Sequence, residues 1–169
     1  STSNCDVFLI GDSNVRFIGT ATAGIDNLDL EFLENNNIKW TNAAGSNSIS
    51  VAEYTTLAAL SWCTENQKDI SELTLGIVGF GNIGSKVGKI FEQICKQILV
   101  SDPYIDHTNS IKAELCGIEE VLKNSDIITF HTPLVKGSKH PTYKLLDLNK
   151  MDLVKKDALI INAARGGVI

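Results

Sequence analysis

Hydrophobic positions along the chain follow two rhythms, one of short continuous apolar runs and one of helical spacing. Runs suited to buried strands recur at 73–78, 98–101, 127–130 and 159–161. Between them, segment 82–97 sets Ile83, Val87, Ile90, Phe91 and Ile94 on one helical face, and further helices are predicted at 118–124 and 148–155. Alternating strands and helices of this kind predict βαβ units around a parallel sheet. Each strand ends in a loop of polar or small residues, and open α/β sheets bind ligands at the carboxyl ends of their strands.

Ahead of residue 73 the rhythm is less regular. A strand is expected at 16–20, a helix opening near Asp29 and a short strand at 38–41, which together suggest part of another α/β unit. Residues 48–62 read as one long helix with Ile49, Ala52, Leu57 and Leu60 among its apolar positions. The polar stretch 64–72 marks the expected domain boundary, although an interhelical loop would look the same. The division is therefore drawn as 1–70, the end of one domain with a linking helix, and 71–169, a second and truncated domain.

Composition narrows the class. The chain has 169 residues, 43% hydrophobic and 21% charged, which suits an ordinary globular protein of one domain and a part. Its net charge of -5 comes without a basic cluster, which argues against nucleic acid as a partner. Cys5, Cys63, Cys95 and Cys116 lie far apart, with no C-x-x-C pair and no His at metal-ligand spacing, so free thiols in a reducing compartment and no metal site are expected. No apolar run is long enough to span a bilayer and no leader opens the chain, from which a cytoplasmic location follows. A start at Ser1 and an end at Ile169, just past a glycine pair, suggest truncation at both ends.

The chemistry concentrates at the strand ends. Gly79, Gly81 and Gly84 form G-x-G-x-x-G directly after the strand at 73–78 and at the opening of a helix. In a Rossmann-type unit Gly79 permits the tight turn, Gly81 lets backbone approach a pyrophosphate, and Gly84 lets helix and strand pack closely. Asn82 and Ile83 would offer backbone N–H groups to the phosphates at the helix N-terminus. The bare motif can also be turn chemistry without a ligand. Asp102, after the second strand, stands where a carboxylate accepts hydrogen bonds from the adenosine ribose, which favours NAD over NADP; the alternative is a turn residue before Pro103.

The third strand runs into His131-Thr132-Pro133-Leu134 and the fourth into Asn162-Ala163-Ala164-Arg165-Gly166-Gly167. Arg165 can hold a substrate carboxylate in a bidentate pair, or make a surface salt bridge. His131 offers an imidazole for acid–base work, or is a loop residue presenting backbone to the cofactor. His107 and His140 sit in polar loops and are expected to be solvated.

The stretch 76–84, the tetrad 131–134 and the stretch 161–167 together resemble the NAD-dependent D-isomer 2-hydroxyacid dehydrogenases, and 16–26 with Pro141-Thr142-Tyr143 narrow the likeness to one member of that family. The resemblance implies an incomplete Rossmann-type, doubly wound parallel sheet preceded by part of a flavodoxin-like substrate domain. It implies Arg165 as the catalytic and substrate-binding arginine, itself also in contact with the cofactor. Ala163, Ala164, Asp102 and Thr132 follow as further NAD contacts, and Thr22 and Ser1 as substrate contacts. A small-molecule 2-hydroxy acid and, for the complete protein, a homodimer are implied partners. The family's general base His and its orienting Glu would lie beyond Arg165, outside this sequence, so the segment alone is expected to be inactive. A non-catalytic NAD-sensing protein or corepressor on the same fold is the reading from another class.

Overall fold

β1 (Phe17–Thr20) and β2 (Lys39–Asn42) lie parallel, Phe17 opposite Lys39 and Thr20 opposite Asn42, in a computed structural model that describes residues 14–25, 27–108 and 111–169. Between them runs α1 (Leu30–Asn35), whose N-terminus is capped by Asp29 accepting from Phe32 N at 3.0 Å. Asn37, at φ 54, turns the chain out of the helix, since asparagine tolerates the left-handed region. Leu28, Leu33 and Ile38 form the core of this first unit, which ends at Asn47.

The second unit begins at Ser48 with α2 (Ser48–Glu65). A short 3-10 turn, Ile70–Glu72, leads into β3 (Thr74–Val78), followed by α3 (Gly84–Phe91), β4 (Gln97–Ser101), β5 (Glu114–Leu115), α4 (Ile118–Asn124), β6 (Ile127–Phe130), α5 (Leu148–Met151) and β7 (Leu159–Asn162). The five strands pair in parallel in the order β5-β4-β3-β6-β7, which reverses direction between β3 and β6. That is the Rossmann arrangement, and its reversal point is where such sheets hold ligands.

Every residue of β3 is buried because both sheet faces are covered. Leu75, Ile77, Ile98, Val100, Ile127 and Ile161 join Ala52, Ala59, Val87 and Phe91 on the α2–α3 side. Val78, Leu99, Ile128 and Phe130 join Val121, Leu122, Leu146 and Val168 on the other. Each fully buried Ile, Val or Phe contributes roughly 1.5–3 kcal/mol, so the sheet is a firm platform for its loops. Gly76 faces α4, where a Cβ would stand 2.6 Å from Val121 Cγ1; only glycine lets the helix come so close.

The compact second unit starts at Ser48, because α2 buries Ala52, Thr55, Ala59 and Cys63 and packs on α3 and β7. Three features depart from the sequence-based expectation. The helix expected over 82–97 covers only Gly84–Phe91: Ile94 N and Cys95 N both return to Phe91 O, and Lys96 N then bonds Leu73 O to start β4. The helix expected over 148–155 stops at Met151 and continues as turns to Val154. β5 is an addition, a two-residue edge strand too short to show a periodicity.

Among the described residues no helix is long and apolar enough to cross a membrane, and no group of three or more His, Cys, Asp or Glu could hold a metal. Cys63, Cys95 and Cys116 are free thiols, and Cys5 lies outside the described residues.

Candidate functional site

The carboxyl ends of β3, β4 and β6 are tied to one another by backbone. Gly79 N donates to Ser101 O at 2.9 Å and His131 N to Val78 O at 2.8 Å. Gly79 has φ +92, a conformation L side chains rarely adopt, and a Cβ there would sit 2.9 Å from Thr132 Cγ2 and 3.0 Å from His131 O. The three motif glycines therefore differ in what surrounds them. A Cβ on Gly84 would collide with Gly79 O, whereas nothing lies within 4 Å of the Cβ position of Gly81. The open face at Gly81 adjoins the start of α3, where Ile83 supplies no side-chain cap. The helix dipole favours an anion at that point.

Asp102 performs two bonding tasks at once. Its Oδ2 accepts from Phe80 N at 2.8 Å, fastening the glycine loop to β4, and its Oδ1 accepts from Tyr104 N at 3.0 Å, closing the turn through Pro103. Both sequence readings of this residue are thus compatible, because an ionised carboxylate has about four lone-pair sites and two remain for ligand hydroxyls. Beside it opens a cleft of about 500 Å³ lined by Val78, Asp102, Cys116, Ile118, Thr132 and His140, among others. The wall is largely apolar with a few polar groups, as suits a planar base attached to a ribose. Burial, with Glu120 and Glu114 nearby, pushes the Cys116 thiol up to about 11, so it is a neutral wall residue. Thr132 Oγ1 is buried without a hydrogen-bond partner, an arrangement that a ligand oxygen or donor would relieve.

His131 is not equipped for proton transfer at neutral pH. Desolvation pushes its imidazole down to about 4, Nε2 lies 2.9 Å from Thr129 Oγ1, and Nδ1 is buried without a partner. The reading as a loop residue is the one the geometry supports. His140, expected in solvent, instead lines the cleft and meets Tyr104 edge to face at 5.5 Å between ring centroids. The Lys139–Pro141 segment is folded back by the turn that Thr142 anchors. Thr142 Oγ1 accepts from Val135 N at 2.7 Å and donates to Pro133 O at 2.5 Å. His107 is exposed beside Asp106.

The loop after β7 is joined to the loop after β6. Lys144 N donates to Gly167 O at 2.8 Å and Leu146 N to Val168 O at 3.2 Å, and a Cβ on Gly167 would touch Leu134 and Tyr143. Arg165 has extended backbone at the head of the 3-10 turn Gly166–Val168, and its Nη1 donates to Ala164 O at 3.2 Å. Ala163 and Ala164 are half-buried beside it. Asn162, which no motif argument singled out, accepts from Ala164 N and donates to Arg165 O, each at 3.0 Å. Its signal was present in the sequence as an asparagine at a strand end before small residues, the usual setting of a side-chain-closed turn.

Thr22 belongs to the first unit, in the loop after β1, where its hydroxyl donates to Gly24 O at 2.8 Å and its carbonyl accepts from Ala43 N. Ser1 lies outside the described residues.

Comparison with known proteins agrees with this geometry. Residues 50–169 match the family profile of the D-isomer specific 2-hydroxyacid dehydrogenase, NAD binding domain. The erythronate-4-phosphate dehydrogenase of Bacteroides thetaiotaomicron is 39% identical over 168 residues, 99% of this chain and 48% of the relative. That of Wigglesworthia glossinidia brevipalpis is 38% identical over 169 residues, 100% of this chain and 44% of the relative. The chain thus spans a little under half the length of these relatives. Among solved structures, the D-lactate dehydrogenase of Aquifex aeolicus complexed with NAD and lactic acid superposes with a TM-score of 0.84 at 24% identity, over 99% of this chain and 55% of that one. D-2-hydroxyisocaproate dehydrogenase gives 0.81 at 22% identity, over 100% of this chain and 57% of that one. At such identities these two establish the fold.

Proposed function

The chain belongs to the D-isomer-specific 2-hydroxyacid dehydrogenase family, and from that premise we propose that the complete protein oxidises a D-2-hydroxy acid with NAD, its substrate being 4-phospho-D-erythronate. The observation that carries the reading is the joint arrangement at the strand ends: an open cradle at Gly81, a carboxylate at Asp102, and an arginine on the β7 loop. NAD, when bound, supplies the acceptor for the hydride that leaves C2 of the hydroxy acid.

The residues fit the cofactor on their own evidence. Gly79 to Gly84 would take the pyrophosphate, with Asn82 and Ile83 presenting backbone N–H groups. Asp102 would take the ribose hydroxyls and repel a 2′-phosphate. Thr132, with its unpartnered hydroxyl, and Ala163 and Ala164 would border the nicotinamide half. Arg165 would grip the substrate carboxylate and draw electron density from the reacting carbon as a carbonyl forms there. Thr22 and Ser1 would hold the distal part of the substrate, and the general base and its orienting carboxylate would come from outside this segment. His131, held neutral and hydrogen-bonded to Thr129, takes no part in moving the proton.

The same reading places the protein in the cytoplasm, in pyridoxal phosphate biosynthesis, and as a homodimer. Ile49, Tyr54 and Leu57 leave α2 with an exposed apolar face that supports self-association. The test is oxidation of 4-phospho-D-erythronate by the complete gene product, followed by nicotinamide absorbance, beside D-3-phosphoglycerate, D-lactate and unphosphorylated D-erythronate. The proposal expects NAD to be the better cofactor and 4-phospho-D-erythronate to exceed the others in kcat/KM. Preference for D-3-phosphoglycerate would move the protein to another member of the family, and NAD binding without turnover of any acid would leave a sensor.

A further inference from the structure

We propose that Asn162 is the positioning residue for Arg165; the inference rests on the reading of Arg165 as the group that holds the substrate carboxylate. Asn162 ends β7 and is paired in the ladder opposite Phe130, so its backbone is fixed to the sheet. Its side chain then reaches forward and uses both halves of the amide. Oδ1 accepts from Ala164 N and Nδ2 donates to Arg165 O, both at 3.0 Å. The two bonds pin the peptide planes on either side of the Ala164 carbonyl, which is the group that receives Arg165 Nη1 at 3.2 Å. Arg165 O is held a second time, by Val168 N at 3.0 Å. The guanidinium therefore projects from a loop whose direction is set by one asparagine anchored in the sheet, rather than by the glycines that follow it.

An amide carries its donor and its acceptor on separate atoms, so Asn162 makes both bonds at once. Aspartate keeps the bond from Ala164 N but sets a second oxygen against Arg165 O. Serine can keep the Ala164 bond through an equivalent side-chain turn and leaves the Arg165 carbonyl to Val168 alone. Asn162→Asp and Asn162→Ser both remove the bond to Arg165 O, which distinguishes positioning from simple turn formation, and Asn162→Ser does so without placing a new negative charge beside the guanidinium.

The experiment uses the complete enzyme carrying N162A, N162D or N162S. Each variant is measured for kcat and KM with the hydroxy acid, for NADH affinity by fluorescence, for binding of oxalate to the NADH complex, and for melting temperature. A reactive group displaced by about 1 Å can cost on the order of 100-fold. The expected result is a fall in kcat/KM of between about 10-fold and 100-fold for N162A and N162D, and a rise of about 10-fold in the oxalate Kd. NADH affinity should fall by much less than oxalate affinity, and N162S, which also lacks the bond to Arg165 O, should show a loss without the charge that N162D adds. Oxalate affinity unchanged in N162D overturns the inference, as does a loss of NADH affinity in step with that of oxalate. N162D has nearly the shape of the native residue and serves where N162A does not fold. An inactive wild type would refute the dehydrogenase reading, whereas an active wild type with an equally active N162D refutes this inference alone.

Discussion

Replacing the second and third glycines of the 79–84 loop by alanine, one at a time, should separate cofactor binding from folding. At Gly84 the added methyl would collide with Gly79 O and stand 3.1 Å from Gly79 C and from Ile77 Cγ2. Ile77 is fully buried, and Gly79 is held at positive φ and bonded to Ser101 O, so neither can yield cheaply. Overpacking of this kind costs about 1–3 kcal/mol, and the entropy that alanine removes from the unfolded chain returns less than about 1 kcal/mol. In the complete protein, about twice as long as this chain, a net loss of about 2 kcal/mol corresponds to a fall in Tm of roughly 2–4 °C. At Gly81 nothing lies within 4 Å, so alanine is accommodated without strain and Tm should hold or rise slightly. Its methyl would occupy the space through which a pyrophosphate reaches the backbone, and NADH affinity should drop by about 10-fold or more, about 1.4 kcal/mol. Thermal melting and NADH titration of both variants of the complete protein provide the check. The reasoning is refuted if G81A destabilises as much as G84A, or if it binds NADH like wild type.

Other consequences are as direct. Asp102→Asn should lower the preference for NAD over NADP by about 10-fold, measured as a ratio of kcat/KM values, because the charge that repels a 2′-phosphate is gone; an unchanged ratio would remove Asp102 from cofactor selection. Arg165→Lys should lower kcat/KM by about 100-fold, since an ammonium cannot reproduce the planar fork; full activity would contradict its role. His131 titrates near 4 when folded and near 6.5 when unfolded, so the unfolded chain binds the extra proton between those values and folding stability rises with pH across that window. About 3 kcal/mol present at pH 7 should disappear as pH falls from about 6.5 to 4, and a His131→Gln variant melted across that range should show a shallower slope; a slope equal to wild type would refute the assignment.

Much of this arrangement was legible in the sequence because strong local signals and long-range packing agreed. The β3 run is buried on both faces, and its glycine loop has the positive φ at Gly79 and the close packing at Gly84 that the motif requires. What escaped was set by tertiary contact. The apolar spacing of Ile94 continued the α3 pattern past Phe91, but the chain needed those residues to turn into β4. α2 packs on α3 through its small residues Ala52 and Ala59, a contact that the polar stretch at 64–72 does not reveal. His140 was expected in water because its neighbours are polar, yet the turn closed by Thr142 folds its segment over the cleft. Asn162 was overlooked because its side chain serves backbone only, and no catalytic motif is needed to explain such a residue.

The most direct test of the central claim is a crystal structure of the complete protein with NADH and a bound 2-oxo or 2-hydroxy acid. The account predicts the pyrophosphate over Gly81 at the start of α3, the adenosine ribose hydroxyls on Asp102, the adenine in the cleft beside Cys116 and Ile118, and the acid carboxylate on Arg165. A cofactor bound away from the β3–β6 strand ends, or an acid carboxylate that leaves Arg165 untouched, would contradict it.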